Sequence, residues 1–363
     1  MSPIAVAPTS RAEPQETIAS LKAKLTPPAS TQARLEKGGI NWDIDDIRTN
    51  RATPYVDPGT RADPEKKALF SAAKEVRHLN YHLGTELVGV QLKDLTDQQK
   101  DELALLVAER TVVFLRDQEI SPQQQRELGL YLGAGEIEVH PQAAQVPGVG
   151  GGVTVIWEGA KDYKQQLQSD AQKRTFREAY PTLPPGYTHL HQDAIPEFGG
   201  DTLWASGYAA YDKLTPTFRT LLEGLNGVYI SADKYGDKTN PNAPPDHVER
   251  LHPLIRTHPA TGWKSLFVNR SMTRRIDGLA KLESDTLLKL LFEIQESNVD
   301  IQVRWSWTPG TSAIWDNRIA IHTVSWDYEG KVERHGTRVS SLAEKPYFDP
   351  KSKSRREALG LDN

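Results

Sequence analysis

A mainly β fold, a sandwich or barrel with flanking helices, is what this 363-residue sequence predicts. Two observations carry that reading. Residues 152–342 hold at least nine short segments rich in β-branched and aromatic residues, each closed off by Gly, Pro, Asn or Asp. Only two helix-like stretches interrupt them, so the regular strand–helix alternation of a doubly wound sheet is missing.

The elements follow in order. Residues 1–65 are rich in Pro, Ala, Thr and charge, which predicts an irregular N-terminal arm with a short helix over residues 16–25. One domain is expected over residues 66–350, ordered from about His78, with a polar tail at 351–363. Residues 85–92 alternate like a half-buried strand. Residues 95–110 read as a helix, with Thr96 as its cap, Gln99 completing a capping box, and Leu103, Leu105 and Leu106 as its apolar face. Residues 111–116 form a short buried strand, and Ser121-Pro122 starts a second helix. Strands are then predicted at 152–158, 187–193, 201–206, 227–231, 264–269, 301–307, 311–316, 319–324 and 336–342. The helices between them cover 215–225 and 279–297. Residues 235–247 make a polar, Pro-rich loop of the kind that covers a site.

Composition excludes several functions. There are 44 basic and 48 acidic residues, a net charge of −4 and no basic stripe, so nucleic acid is not an expected partner. Cysteine is absent, which removes disulfides, thiolate metal sites and thiol nucleophiles. Any metal must be held by His, Asp or Glu, a set suited to zinc, manganese or non-haem iron. No stretch approaches the roughly 20 apolar residues of a membrane span. The first residues carry acids and prolines rather than a basic, apolar leader, so a cytoplasmic protein is expected. The glycines at 148–152 come with no P-loop lysine, and no G-x-S-x-G elbow occurs.

The residues that can carry chemistry lie late in the chain. His322 sits on an otherwise apolar strand, and Arg334 and Arg338 follow four residues apart. A histidine near two guanidinium groups can serve a metal and a dicarboxylate together, because arginine grips carboxylates in bidentate fashion and stays charged when buried. The alternative is a core histidine and two surface charges. Earlier, His191-Gln192-Asp193 spells H-x-D. On a strand, residues i and i+2 share a face, so His189, His191 and Asp193 point one way. They either ligate a metal or form a hydrogen-bonded polar row, the reading favoured here. His140 reads as a turn histidine, and His252 and His258 flank a strand without assigned chemistry.

Residues 199–216 (GGDTLWASGYAAYDKLTP) and 315–322 (WDNRIAIH), with the Arg334/Arg338 pair, resemble the taurine/2,4-D dioxygenase family of Fe(II)- and 2-oxoglutarate-dependent oxygenases. The fungal sulfonate dioxygenase-like branch is the nearest likeness, and the match runs from about residue 79 to 350. The resemblance implies a double-stranded β-helix (jelly-roll) core with helices outside, Fe(II) and 2-oxoglutarate as cofactors, and a small organic substrate, anionic or neutral. It implies His322 as the distal metal ligand, Thr202 and Arg334 as carboxylate partners of 2-oxoglutarate, and Arg338 beside them. It also implies a homo-oligomer.

The sequence departs from the family at one point. The family's H-x-D pair stands about nine residues ahead of a proline pair. Counted back from Pro184, those positions hold Thr175 and Arg177. A neutral hydroxyl is a poor ligand, and a guanidinium cannot coordinate a cation. His191 lies eleven residues before Thr202, one strand too late to replace the pair. The segment has been substituted or deleted, and an iron-free relative that keeps the acid-binding pocket is the alternative expectation.

Overall fold

The computed structural model describes residues 54–139, 144–158, 184–230 and 249–361. The expected helix at 16–25, His140, the Thr175/Arg177 positions and the loop at 235–247 lie outside them. Fifteen strands are assigned among these residues. They are β1 (Glu75–His78), β2 (Thr85–Val88), β3 (Val112–Leu115), β4 (Thr154–Glu158), β5 (Pro185–Ala194), β6 (Thr202–Ser206), β7 (Asn226–Ile230) and β8 (Glu249–Pro253). Then come β9 (Ile255–Thr257), β10 (Lys264–Leu266), β11 (Thr273–Ile276), β12 (Gln302–Trp305), β13 (Thr311–Asp316), β14 (Ala320–Val324) and β15 (Arg334–Leu342). The helices are α1 (Lys67–Ala72), α2 (Asp97–Arg110), α3 (Pro122–Leu132), α4 (Gly207–Asp212), α5 (Pro216–Leu222), α6 (Lys281–Ser297) and α7 (Arg355–Ala358).

A seven-stranded sheet in the order β1-β2-β3-β13-β5-β15-β4 forms one wall, and a three-stranded sheet, β12-β6-β14, supplies residues facing it. Among the described strands nearly all pairings are antiparallel; only β2 and β3 run parallel. This mainly β architecture with outer helices agrees with the predicted jelly-roll core.

Helix α2 starts where its sequence says it should. Thr96 accepts from the Gln99 amide, Gln99 reaches back to the Thr96 amide, and Leu103, Leu106 and Val107 are buried against Val113, Leu115 and Ile314 of the large sheet. Between the two sheets lies an aromatic cluster of Phe114, Trp204, Trp305, Trp307 and Trp315. Phe114 stacks on Trp305 with centroids 4.0 Å apart. Such rings each bury a large apolar area, and they stiffen the walls around the cavity described below.

The residues just before α1 are tied into this body. Pro58–Arg61 form a 3₁₀ turn, and Asp57 is buried. Asp57 accepts from the Tyr187 hydroxyl at 3.0 Å and pairs with Arg318 at 2.6 Å. Arg318 also pairs with Asp316 at 2.6 Å and Glu344 at 3.2 Å, and His258 meets Asp316 at 2.8 Å. Burial alone would raise the Asp316 carboxyl; Arg318 and His258 beside it hold it well below the usual carboxylate range. Ionic groups from four separate stretches of chain meet at this point, the turn after β13.

Several elements are absent from the sequence expectations: β1, β8, β11, α1, α4 and α7. Helix α4 has only six residues. It exists because Ser206 caps it and because Tyr208, Ala209 and Ala210 are buried, not because its sequence shows a helical period.

Candidate active site

Thr202, His322, Arg334 and Arg338 line one cavity of about 230 Å³ together with Thr188, Leu190, Trp315 and Asn317. The strands explain the convergence. Thr202 and His322 sit on the neighbouring strands β6 and β14, with His322 opposite Trp204 and Thr202 opposite Val324. Arg334 and Arg338 lie four apart on β15 of the facing sheet, so they share its face. All four residues singled out in the sequence are therefore brought together.

His322 packs against two indoles that also touch each other, its ring centroid 4.9 Å from that of Trp315 and 6.5 Å from that of Trp204. The Thr202 hydroxyl accepts from Trp307 Nε1 at 3.0 Å. Arg334 is fully buried, and its guanidinium carbon lies 5.7 Å from the centre of the Trp307 ring. Asn317 is fixed at the cavity wall: its amide donates to Thr188 Oγ1 at 2.7 Å and to the Gly186 carbonyl at 2.9 Å, and it accepts from Trp315 Nε1 at 2.9 Å. A cavity holding two arginines, a hydroxyl and an imidazole, walled by tryptophan, suits a small polyanion.

The H-x-D triplet behaves as a polar row. Thr188 and Leu190 of β5 face the cavity. His189 and His191 face the other way and share one hydroxyl: Ser312 Oγ is 2.9 Å from His189 Nε2 and 3.0 Å from His191 Nδ1. Asp193 lies 3.5 Å from His191 Nε2 and 3.0 Å from His335 Nδ1. His191 and Asp193 thus stand on the opposite face of the sheet from His322.

This row has a measurable consequence. Burial, with His191 adding to it, pushes His189 down to about 3. The unfolded chain titrates this group near 6.5, so below that pH it binds a proton the folded state refuses. The stability is present above pH 6.5 and is lost as pH falls towards 3. His189 alone should cost about 2 kcal/mol between pH 6.5 and 5. Urea midpoints for the wild type and His189→Gln across that window test this. The variant should lose that share of the slope, and parallel slopes would refute the assignment.

For Fe(II), the described residues of the cavity supply one ligand, His322. Among the described residues no group of three or more His, Asp or Glu side chains is arranged to hold a metal ion. Residues 159–183, which include Thr175 and Arg177, contain Asp162, Asp170 and Glu178 but no histidine.

The sheet arrangement and this cavity fit a jelly-roll protein with a buried pocket suited to a small polyanion. Residues 75–340 match the family described as taurine catabolism dioxygenase TauD, TfdA, and the chain belongs to that family. It is similar to an alpha-ketoglutarate-dependent sulfonate dioxygenase of Saccharomyces cerevisiae, 33% identical over 314 residues, covering 82% of this chain and 74% of the relative. An alpha-ketoglutarate-dependent dioxygenase of Penicillium expansum is 36% identical over 305 residues, covering 80% of this chain and 84% of the relative. Among solved structures, a taurine dioxygenase from Burkholderia xenovorans aligns with a TM-score of 0.65 at 27% identity, over 80% of this chain and 99% of that one. Among the described residues no helix is long and apolar enough to cross a membrane.

Gln192 is the residue that sequence reasoning passed over. It sits inside the triplet that drew attention to its two neighbours. A polar residue predicted to face the core of a strand is the signal that could have found it.

Proposed function

We propose that the cavity binds 2-oxoglutarate and that the chain is an Fe(II)/2-oxoglutarate-dependent dioxygenase acting on a small, anionic organic molecule. Arg334 takes the distal carboxylate, Thr202 a carboxylate oxygen, His322 the metal, and Arg338 the cosubstrate or an acidic group of the substrate. The observation that carries this reading is the convergence of these four residues, drawn from three strands, on a single cavity. Bound Fe(II) would supply oxygen activation. The chain's own residues bind and orient the two acids, neutralise their charge and exclude water with the tryptophan walls. The relatives named as sulfonate dioxygenases support an anionic substrate. A cytoplasmic homo-oligomer is the accompanying expectation.

The missing histidine in residues 159–183 favours a second reading, in which the same arginines bind an organic acid without iron. Anaerobic titration with Fe(II) and 2-oxoglutarate separates the two. A saturable, weak visible charge-transfer band is the expected result. Absence of the band together with absence of metal uptake would overturn the iron-dependent reading. Binding of 2-oxoglutarate that ignores a chelator would establish the second.

A further inference from the structure

Strand β5 places Gln192 on the inner side of the sheet, between the outward-facing His191 and Asp193, and the side chain is completely buried. Its amide bridges two fixed groups. The NH₂ donates to the His335 carbonyl at 3.1 Å, and the amide oxygen accepts from Arg334 Nη2 at 2.9 Å. Only this orientation is chemically consistent, since a carbonyl can only accept and a guanidinium can only donate.

Strand β15 makes room for it. Gly336 stands directly across from Gln192, at a point where the pairing register shifts. A Cβ on Gly336 would come 2.2 Å from the His191 carbonyl oxygen and 2.9 Å from the end of the Gln192 side chain. No residue larger than glycine fits there with the amide in place.

The contacts continue past Arg334. Its guanidinium lies against Trp307, and Trp307 Nε1 holds the Thr202 hydroxyl. One chain of contacts therefore runs from the His335 carbonyl through Gln192, Arg334 and Trp307 to Thr202. It fixes both groups assigned above to the carboxylates of a 2-oxo acid.

We propose that Gln192 is a positioning residue that holds Arg334 in the orientation that takes a distal carboxylate, and so makes the cavity select a dicarboxylic 2-oxo acid over a monocarboxylic one. The inference rests on the reading of Arg334 as the carboxylate anchor. Gln192 is not among the residues that line the cavity.

The test is calorimetric titration of the full chain with 2-oxoglutarate and, separately, with 2-oxobutanoate, which lacks the distal carboxylate. Titrations are run without oxygen, with and without Mn(II). Gln192→Leu removes both amide bonds. Gln192→Glu keeps the shape and adds a negative charge at the atom that meets Arg334. Affinity for 2-oxoglutarate should fall about tenfold or more in both variants, the scale of one hydrogen bond to a charged group. Affinity for 2-oxobutanoate should stay put, so the selectivity between the two acids collapses. Thermal melts of both variants establish that they are folded, and the nearly isosteric Gln192→Glu keeps the test decisive if Gln192→Leu is not. Equal weakening of both acids would make Gln192 a packing residue and overturn the proposal, as would unchanged selectivity. A wild type that binds neither acid would overturn the reading of Arg334 itself, and this inference with it.

Discussion

Replacing Arg334 with leucine will weaken 2-oxoglutarate binding by roughly two to three orders of magnitude while leaving the chain folded. Truncating one partner of a buried, hydrogen-bonded charge pair costs about 2–5 kcal/mol, and every 1.4 kcal/mol is tenfold in affinity. Arg334 is fully buried beside Trp307, where water competes little for its guanidinium. The fold loses less. The Gln192 oxygen that accepts from Arg334 is left without that bond, a cost of about 1–3 kcal/mol. Arg334→Lys should recover only part of the affinity, because an ammonium cannot reproduce the planar two-pronged grip. Calorimetry with 2-oxoglutarate reads both variants. An Arg334→Leu protein that binds within a few-fold of wild type would remove the arginine from the site.

The second large effect is on stability. Arg318→Met should destabilise the folded chain by about 3–5 kcal/mol, the cost of breaking a buried ion pair by deleting one partner. Arg318 has no solvent exposure and meets Asp57, Asp316 and Glu344 at once. Its loss leaves the buried Asp57 and Asp316 carboxylates without a guanidinium partner, while Glu344 keeps its pairing with Arg256. The exposed Lys281–Asp285 pair on α6 makes the control, since both partners lie largely in water. Such pairs contribute about 0–1 kcal/mol. Urea denaturation of Arg318→Met and Lys281→Met should separate clearly; similar midpoints would mean that the Arg318 cluster does not anchor the fold.

The contrast between those two sites explains what could be read from the sequence. The cavity was legible mainly through the resemblance carried by residues 199–216, 315–322 and the Arg334/Arg338 pair, and strand parity agrees with it. Residues 319–324 and 336–342 as strands orient His322 and Arg338; Arg334 shares the Arg338 face because β15 begins two residues earlier than the sequence predicts, and the Gly199–Asp201 turn sets Thr202 at the head of β6. Thr96 and Ser121 marked two helix starts for an equally local reason, since a cap and its box lie within four residues. The Arg318 cluster was not legible. Asp57, His258, Asp316 and Glu344 come from distant stretches, and no local pattern says that they meet. Residues 54–65 read as part of an irregular arm because their composition is polar. Their order comes from Asp57 and Tyr55 reaching Tyr187 and Arg318, contacts more than a hundred residues apart. Gln192 was hidden differently. Its neighbours spell a metal motif, yet the parity that turns His191 and Asp193 away from the cavity is what turns Gln192 toward Arg334.

In the proposed function, Thr202, Arg334, Arg338 and His322 surround a bound 2-oxo acid. A crystal structure of the chain grown with 2-oxoglutarate and Mn(II) tests it most directly. The predicted result is a dicarboxylate in this cavity, with one carboxylate on Arg334 at the roughly 2.7–2.9 Å of a charge-assisted hydrogen bond and the other end towards His322. A cavity that stays empty at saturating 2-oxoglutarate, or an acid bound elsewhere, would contradict it.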